Sequence, residues 1–269
     1  MRNLVRASVL LLALVLSEPV LAGPLEDAHA AYRKQDYATA LRLYRPLAAQ
    51  GDADAQDYLG FMYQHGLGVP QDYAQAVKWY RLAADRANPS AQFHLGLMYD
   101  TGDGVSRDYA QAVQWYRLAA DQANPSAQFH LGLMYDTGDG VPQDYVQAVK
   151  WFRLAADQGS ARAQNSLGVM YKAGHGVPKD YVQAVKWFRL AADQGNALAQ
   201  TLLGFMYRNG RGVPQDYVTA YTWQNLAAAG ASDAAVREVA AKARDILATM
   251  MTPAQIAEAQ KRASAWQPK

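Results

Sequence analysis

The sequence predicts an all-α fold, a solenoid of antiparallel helix pairs stacked in 36-residue repeats. Three observations carry that expectation. Gly60, Gly96, Gly132, Gly168 and Gly204 stand 36 residues apart, each inside a Leu-Gly-x-Met-Tyr string. Trp79, Trp115, Trp151, Trp187 and Trp223 keep the same period. Asn88–Val105 and Asn124–Val141 are identical letter for letter, as after a recent duplication. A fixed period in the range of roughly 20–50 residues marks a repeat array. Such units bury their apolar faces only by stacking on each other, so function belongs on the long surface that stacking creates.

The elements follow in order. Residues 1–22 have the form of a secretory leader. Arg2 and Arg6 precede an uncharged apolar run, Ala7 to Leu16, and Val20-Leu21-Ala22 supplies small residues for cleavage after Ala22. Ten apolar residues are too few to span a bilayer, which needs about 20. A periplasmic or secreted location follows as an expectation. Residues 23–51 hold two helical segments without the Leu-Gly-x-Met-Tyr core, an atypical first repeat.

Five full repeats occupy 52–230. In the unit Asn88–Ala123, Asn88-Pro89 is a cap followed by a proline suited to the first helical position. The spacing predicts a helix over Pro89–Thr101, closed by Gly102. Asp108, three residues before Gln111, opens a second helix that runs to about Gln122. Ala91, Leu95, Met98 and Tyr99 form the core stripe of the first helix. Tyr109, Ala112, Val113, Tyr116, Ala119 and Ala120 form that of the second. Gly96 is expected where helices approach closely, and Trp115 is expected to reach the next unit. Residues 231–269 read as capping helices: one over Asp233–Met250, then a short one opened by Thr252-Pro253-Ala254-Gln255.

Ala-Gln-x-x-Leu-Gly-x-Met-Tyr, then Gly-x-Gly-Val-Pro-x-Asp-Tyr, then Ala-x-x-Trp-x-x-x-Ala-Ala, resembles the Sel-1-like repeat family, cousins of tetratricopeptide repeats with a longer loop. The first repeat, 23–51, looks more like a tetratricopeptide unit. The resemblance implies a right-handed superhelix of paired helices serving as an adaptor or scaffold. Exported bacterial members of the family act in host interaction or envelope biogenesis. One exported branch is rich in cysteine. This chain has none, so nothing from that branch applies.

The first helix carries a second stripe about 200° from its core stripe. By the resemblance this face lines a concave groove. One row across the repeats reads Asp57, Phe93, Phe129, Asn165 and Thr201. The next includes Phe61, Leu97 and Leu133, and a third holds Asp100, Asp136, Lys172 and Arg208. Two arrangements satisfy the apolar rows: a partner covers them, or neighbouring first helices bury them. The third row runs from acidic to basic, a pattern that orients an extended partner by charge or is a mixed, solvated surface.

Composition narrows the function. A formal net charge of +2 with both signs interspersed gives no nucleic-acid footprint. Past the leader, no stretch suits membrane insertion. Asp100-Thr-Gly-Asp-Gly104 has some look of a calcium loop but lacks its remaining ligands and terminal glutamate. His94 and His130 sit on equivalent, separate helices, expected about 8–10 Å apart, too far to share a metal. No catalytic, metal or cofactor motif is visible, and the chain reads as no enzyme. The expected function is an exported scaffold that binds a protein or peptide in its groove. The alternative is a glycan- or peptidoglycan-binding solenoid using the same aromatic and polar residues.

Overall fold

The computed structural model describes residues 23–268, and the expected leader with its cleavage site lies outside them. Among the described residues there are fourteen helices and no strand. A first pair is α1 (Pro24–Arg33) with α2 (Tyr37–Ala49). Five longer pairs follow: α3 (Ala53–His65) with α4 (Tyr73–Ala84), α5 (Pro89–Thr101) with α6 (Tyr109–Asp121), α7 (Pro125–Thr137) with α8 (Tyr145–Asp157), α9 (Ala161–Ala173) with α10 (Tyr181–Asp193), and α11 (Ala197–Asn209) with α12 (Tyr217–Gly230). α13 (Ala234–Ala248) and α14 (Pro253–Ala265) both pack on α12. Elsewhere each helix packs chiefly on the one before and the one after, the contact pattern of a solenoid.

Local chemistry sets the helix ends. The carboxamides of Asn88 and Asn124 accept from the backbone N–H of Ala91 and Ala127, and a proline follows each cap. Asp72, Asp108, Asp144 and Asp180 accept from the N–H of Gln75, Gln111, Gln147 and Gln183. The reciprocal capping box closes fully at Thr252 and Gln255. Each first helix of the five longer pairs ends at a left-handed glycine, such as Gly102 with φ 84°.

The core is a chain of similar clusters, one per seam. Ala112, Val113, Tyr116, Ala119 and Ala120 of α6 are buried against Ala127, Leu131 and Met134 of α7. The five periodic glycines lie where an added methyl has no room. A Cβ on Gly96 would stand 2.7 Å from the Tyr116 ring, and one on Gly132 would stand 2.6 Å from Phe152. The close approach is therefore between the two helices of one pair.

The tryptophans reverse one expectation. Trp115 packs on the cluster built by α4 and α5, the preceding seam, and Trp151 and Trp187 repeat this. Trp115 is one position from Tyr116, about 100° round the helix. The Tyr116 stripe faces α7, so the indole faces back.

Two further ties cross each of the four seams between the five longer pairs. Gln92, Gln128, Gln164 and Gln200 are buried, and their amides donate to the carbonyls of Ala84, Ala120, Ala156 and Ala192 on the preceding helix. Their side-chain oxygens, in the first three, accept from Gln122, Gln158 and Gln194. Arg81, Arg117, Arg153 and Arg189 each donate to a tyrosine hydroxyl of the next unit: Tyr99, Tyr135, Tyr171 and Tyr207. Tyr99 is accordingly half-buried rather than sealed in the core.

Candidate functional site

The first-helix face is more closed than its sequence pattern suggests. Asp57, Asn165 and Thr201 are buried, and Phe93 and Phe129 are half-buried. The ring of Phe93 lies 5.9 Å from that of Tyr116 in its own pair and 5.4 Å from that of His130 in the next. Phe129 packs on the cluster of α8 and α9. This row therefore lies in the seams between units, covered by the second helix of its own pair and by the next unit. It does not point freely outward.

The other two rows remain partly open. Phe61, Leu97 and Leu133 are half-buried, as are Asp100, Asp136, Lys172 and Arg208. Asp100 is not a free surface charge, because it accepts from the Tyr116 hydroxyl at 3.0 Å. Burial, and next the Asp100 carboxylate, push the Tyr116 phenol well above its ordinary range. Partial burial raises the Asp136 carboxyl, and nearby His175 opposes that rise. The acidic-to-basic order of the row holds along the array.

His94 and His130 take different surroundings at equivalent positions. His94 Nδ1 lies 2.9 Å from Asp57 Oδ1. His130 lies among the rings of Phe93, Tyr116 and Phe129. Burial holds the His130 imidazole below its usual range, Asp100 pulls it back up, and Arg162 adds to the lowering. Among the described residues no group of three or more His, Asp, Glu or Cys is placed to hold a metal ion.

A cleft of about 500 Å³ opens at the N-terminal end of this face. His29, Tyr32, Asp54, Asp57, Tyr58, Phe61, Ser90 and His94 line it. It forms where the first pair meets the row beside Asp57, which stands where the next two units place Phe93 and Phe129. A carboxylate fills less space than a phenyl ring, and α1 supplies His29 and Tyr32 as a wall. The rings interlock. Tyr58 stacks on Tyr44 at 5.0 Å and meets Tyr32 edge-on at 5.2 Å, and Tyr32 meets Phe61 at 6.4 Å. Burial, then Tyr37 and Tyr58, raises the Tyr32 phenol. Among the described residues, none offers a hydrogen-bond partner to His29 Nε2.

The sequence pattern brought Asp57 and Phe61 to this cleft but missed His29, Tyr32 and Tyr58. The 36-residue spacing places Tyr58 in the row of His94 and His130, a usable signal. His29 and Tyr32 stand in the first pair, whose shorter loop breaks the register.

The comparisons agree with this architecture. The Sel1 repeat model matches six consecutive segments: 29–52, 53–88, 89–124, 125–160, 161–196 and 197–232. The first covers part of the atypical pair. A Sel1 repeat protein of Oxalobacter formigenes has a similar crystal structure, with 30% identity and a TM-score of 0.78. The match covers 92% of this chain and 99% of that one. A protective antigen of uropathogenic Escherichia coli with an SLR fold is 37% identical with a TM-score of 0.76, covering 90% of this chain and 52% of that one. This chain thus spans about half the length of the Escherichia coli protein. No curated protein matches. Sel1 repeat proteins are in general protein-interaction scaffolds. From repeat period, seams and relatives together, the chain belongs to the Sel1 repeat family.

Proposed function

We propose that this chain is an exported scaffold that holds a protein partner along its first-helix face and anchors it in the N-terminal cleft. The cleft carries the reading. Interface anchors are commonly aromatic groups set in a water-poor recess, and Tyr32, Tyr58 and Phe61 supply such a recess beside two carboxylates. The half-buried Leu97 and Leu133 continue an apolar track away from it, and Asp100, Asp136, Lys172 and Arg208 flank that track with ordered charge. The leader pattern of residues 1–22 supports export. A protein partner also accords with the general role of the repeat. Among the described residues no helix is long and apolar enough to cross a membrane.

Site-directed photo-crosslinking in the source cell tests the reading. A photoreactive side chain at Leu97 or Leu133 is expected to capture one protein. The same group at Leu118, exposed on the second helix of its pair, is expected not to. Capture from Leu118 alone moves the interface to the other face. Competition by a soluble glycan, with capture indifferent to salt, replaces the protein partner with a sugar. Mass spectrometry of the exported chain checks the leader: a mature N-terminus at Gly23 is expected, and an intact Met1 on exported protein refutes it.

A further inference from the structure

We infer that the N-terminal cleft receives an arginine side chain from an extended segment of the partner protein. The inference rests on the scaffold reading and adds the chemistry of the ligand. Three rings line the space: Tyr32, Tyr58 and Phe61. Aromatic faces attract cations held within about 6 Å of the ring centre. Two carboxylates share the same walls, and each is only half used. Asp57 Oδ1 meets His94 at 2.9 Å, and Asp54 Oδ1 accepts from the Asn88 amide at 2.7 Å. No second hydrogen bond reaches either group within the described residues, and no lysine or arginine pairs with either. Asp57 is only 9% exposed, so its charge is poorly hydrated and lacks a strong cation.

Charge decides among ligands. An anion meets two carboxylates and no lysine or arginine on these walls. An aliphatic group would strip water from Asp57 without replacing its hydrogen bonds. A metal ion lacks a ligand group of three among the described residues. A guanidinium satisfies both halves of the lining, because its plane stacks on a ring and its edge offers five N–H donors to carboxylates. Lysine, a compact point charge, also meets the carboxylates and ring faces but has no plane to lie flat on a ring and no fork of donors to span a carboxylate.

The test uses the full chain and a short probe, acetyl-Gly-Arg-Gly-amide, with citrulline as its uncharged counterpart of the same shape. Ring-proton NMR signals of Tyr32 and Tyr58 are expected to shift and saturate with the arginine probe. Binding of the citrulline probe is expected to be weaker by about tenfold or more, a loss of about 1.4 kcal/mol. Asp57→Asn is expected to lower arginine binding by a similar factor, and Asp157→Asn, exposed at the end of α8 and away from the first-helix face, to leave it unchanged. If Asp57→Asn fails to fold, the more exposed Asp54→Asn gives the same reading. Equal binding of the two probes, absence of ring shifts, or full binding by both Asp57→Asn and Asp54→Asn overturns the inference. If the cleft ignores arginine while Leu97 and Leu133 still capture a partner, the inference falls and the scaffold reading stands. Loss of that capture removes both.

Discussion

A single methyl group separates tolerance from failure at the periodic glycines. Gly96 lies against the Cδ1–Cε1 side of the Tyr116 ring, and a Cβ there would also stand 3.3 Å from the Ala112 carbonyl. Gly96→Val must push the two helices apart, so a cost at or above the usual 1–3 kcal/mol of overpacking is expected. Asp100→Ala loses one hydrogen bond and is expected to cost about 0.5–1.5 kcal/mol. Thermal melting of the two variants checks the order, and equal shifts would contradict it. The opposite case is the residue before each first-helix cap. Gly51, Gly159 and Gly195 have positive φ there, and so do Ala87 at 60° and Ala123 at 61°. A left-handed alanine costs roughly 1–2 kcal/mol, part of which glycine returns through the entropy of its unfolded chain. Ala123→Gly is therefore expected to raise the melting temperature, and a fall would show that the seam tolerates alanine without strain. The glycine contact was legible in the sequence, because glycine inside a helix needs a reason. The burial of Asn165 and Thr201 was not. It depends on how the second helix and the next unit seat against that face, which no single repeat records.

At the scale of the element, helix ends were legible almost to the residue. Asn-Pro, Asp-x-x-Gln and the closing glycines act through backbone groups next to them, so they need no knowledge of the fold. Side-chain direction across a seam was less legible. Trp115 turned to the preceding unit, and the Phe93 row sank between helices, because both depend on the neighbour's position. The row that includes His130 gives a pH test at this scale. Its imidazole faces Phe93, Tyr116 and Phe129, with Asp100 and Arg162 as the charged groups acting on it. Burial places its folded value below the ordinary 6.5, so the unfolded chain takes up the proton first. That contribution to stability is full above the ordinary value and is lost as pH falls toward the folded one. The melting temperature is expected to drop as pH falls below the ordinary 6.5, and His130→Asn to flatten that part of the curve. An unchanged slope in the variant would assign the pH dependence to other groups.

For the whole molecule, the seams make the unit interchangeable. Excising residues 88–123 joins Ala87 to Asn124, the same pair of residue types that met there before. The new seam keeps its parts: Gln128 can donate to Ala84, and Arg81 can reach Tyr135. Helix content per residue and a single cooperative transition are expected to survive, as measured by circular dichroism during melting. A broad or split transition would mean that stability is not shared evenly along the array. The overall architecture was legible because repetition states the same stacking rule five times. The cleft was hidden because it forms where repetition stops, from an aspartate in a phenylalanine row and from two residues of a pair with its own loop length.

The duplicated stretch has one more consequence. An added or lost unit leaves the N-terminal cleft and the Trp223–Trp266 contact at the far end chemically as they were. It changes the distance between them and, because each repeat turns on the last, their relative direction. Unit number then sets the span and angle between the two ends without altering the chemistry of either.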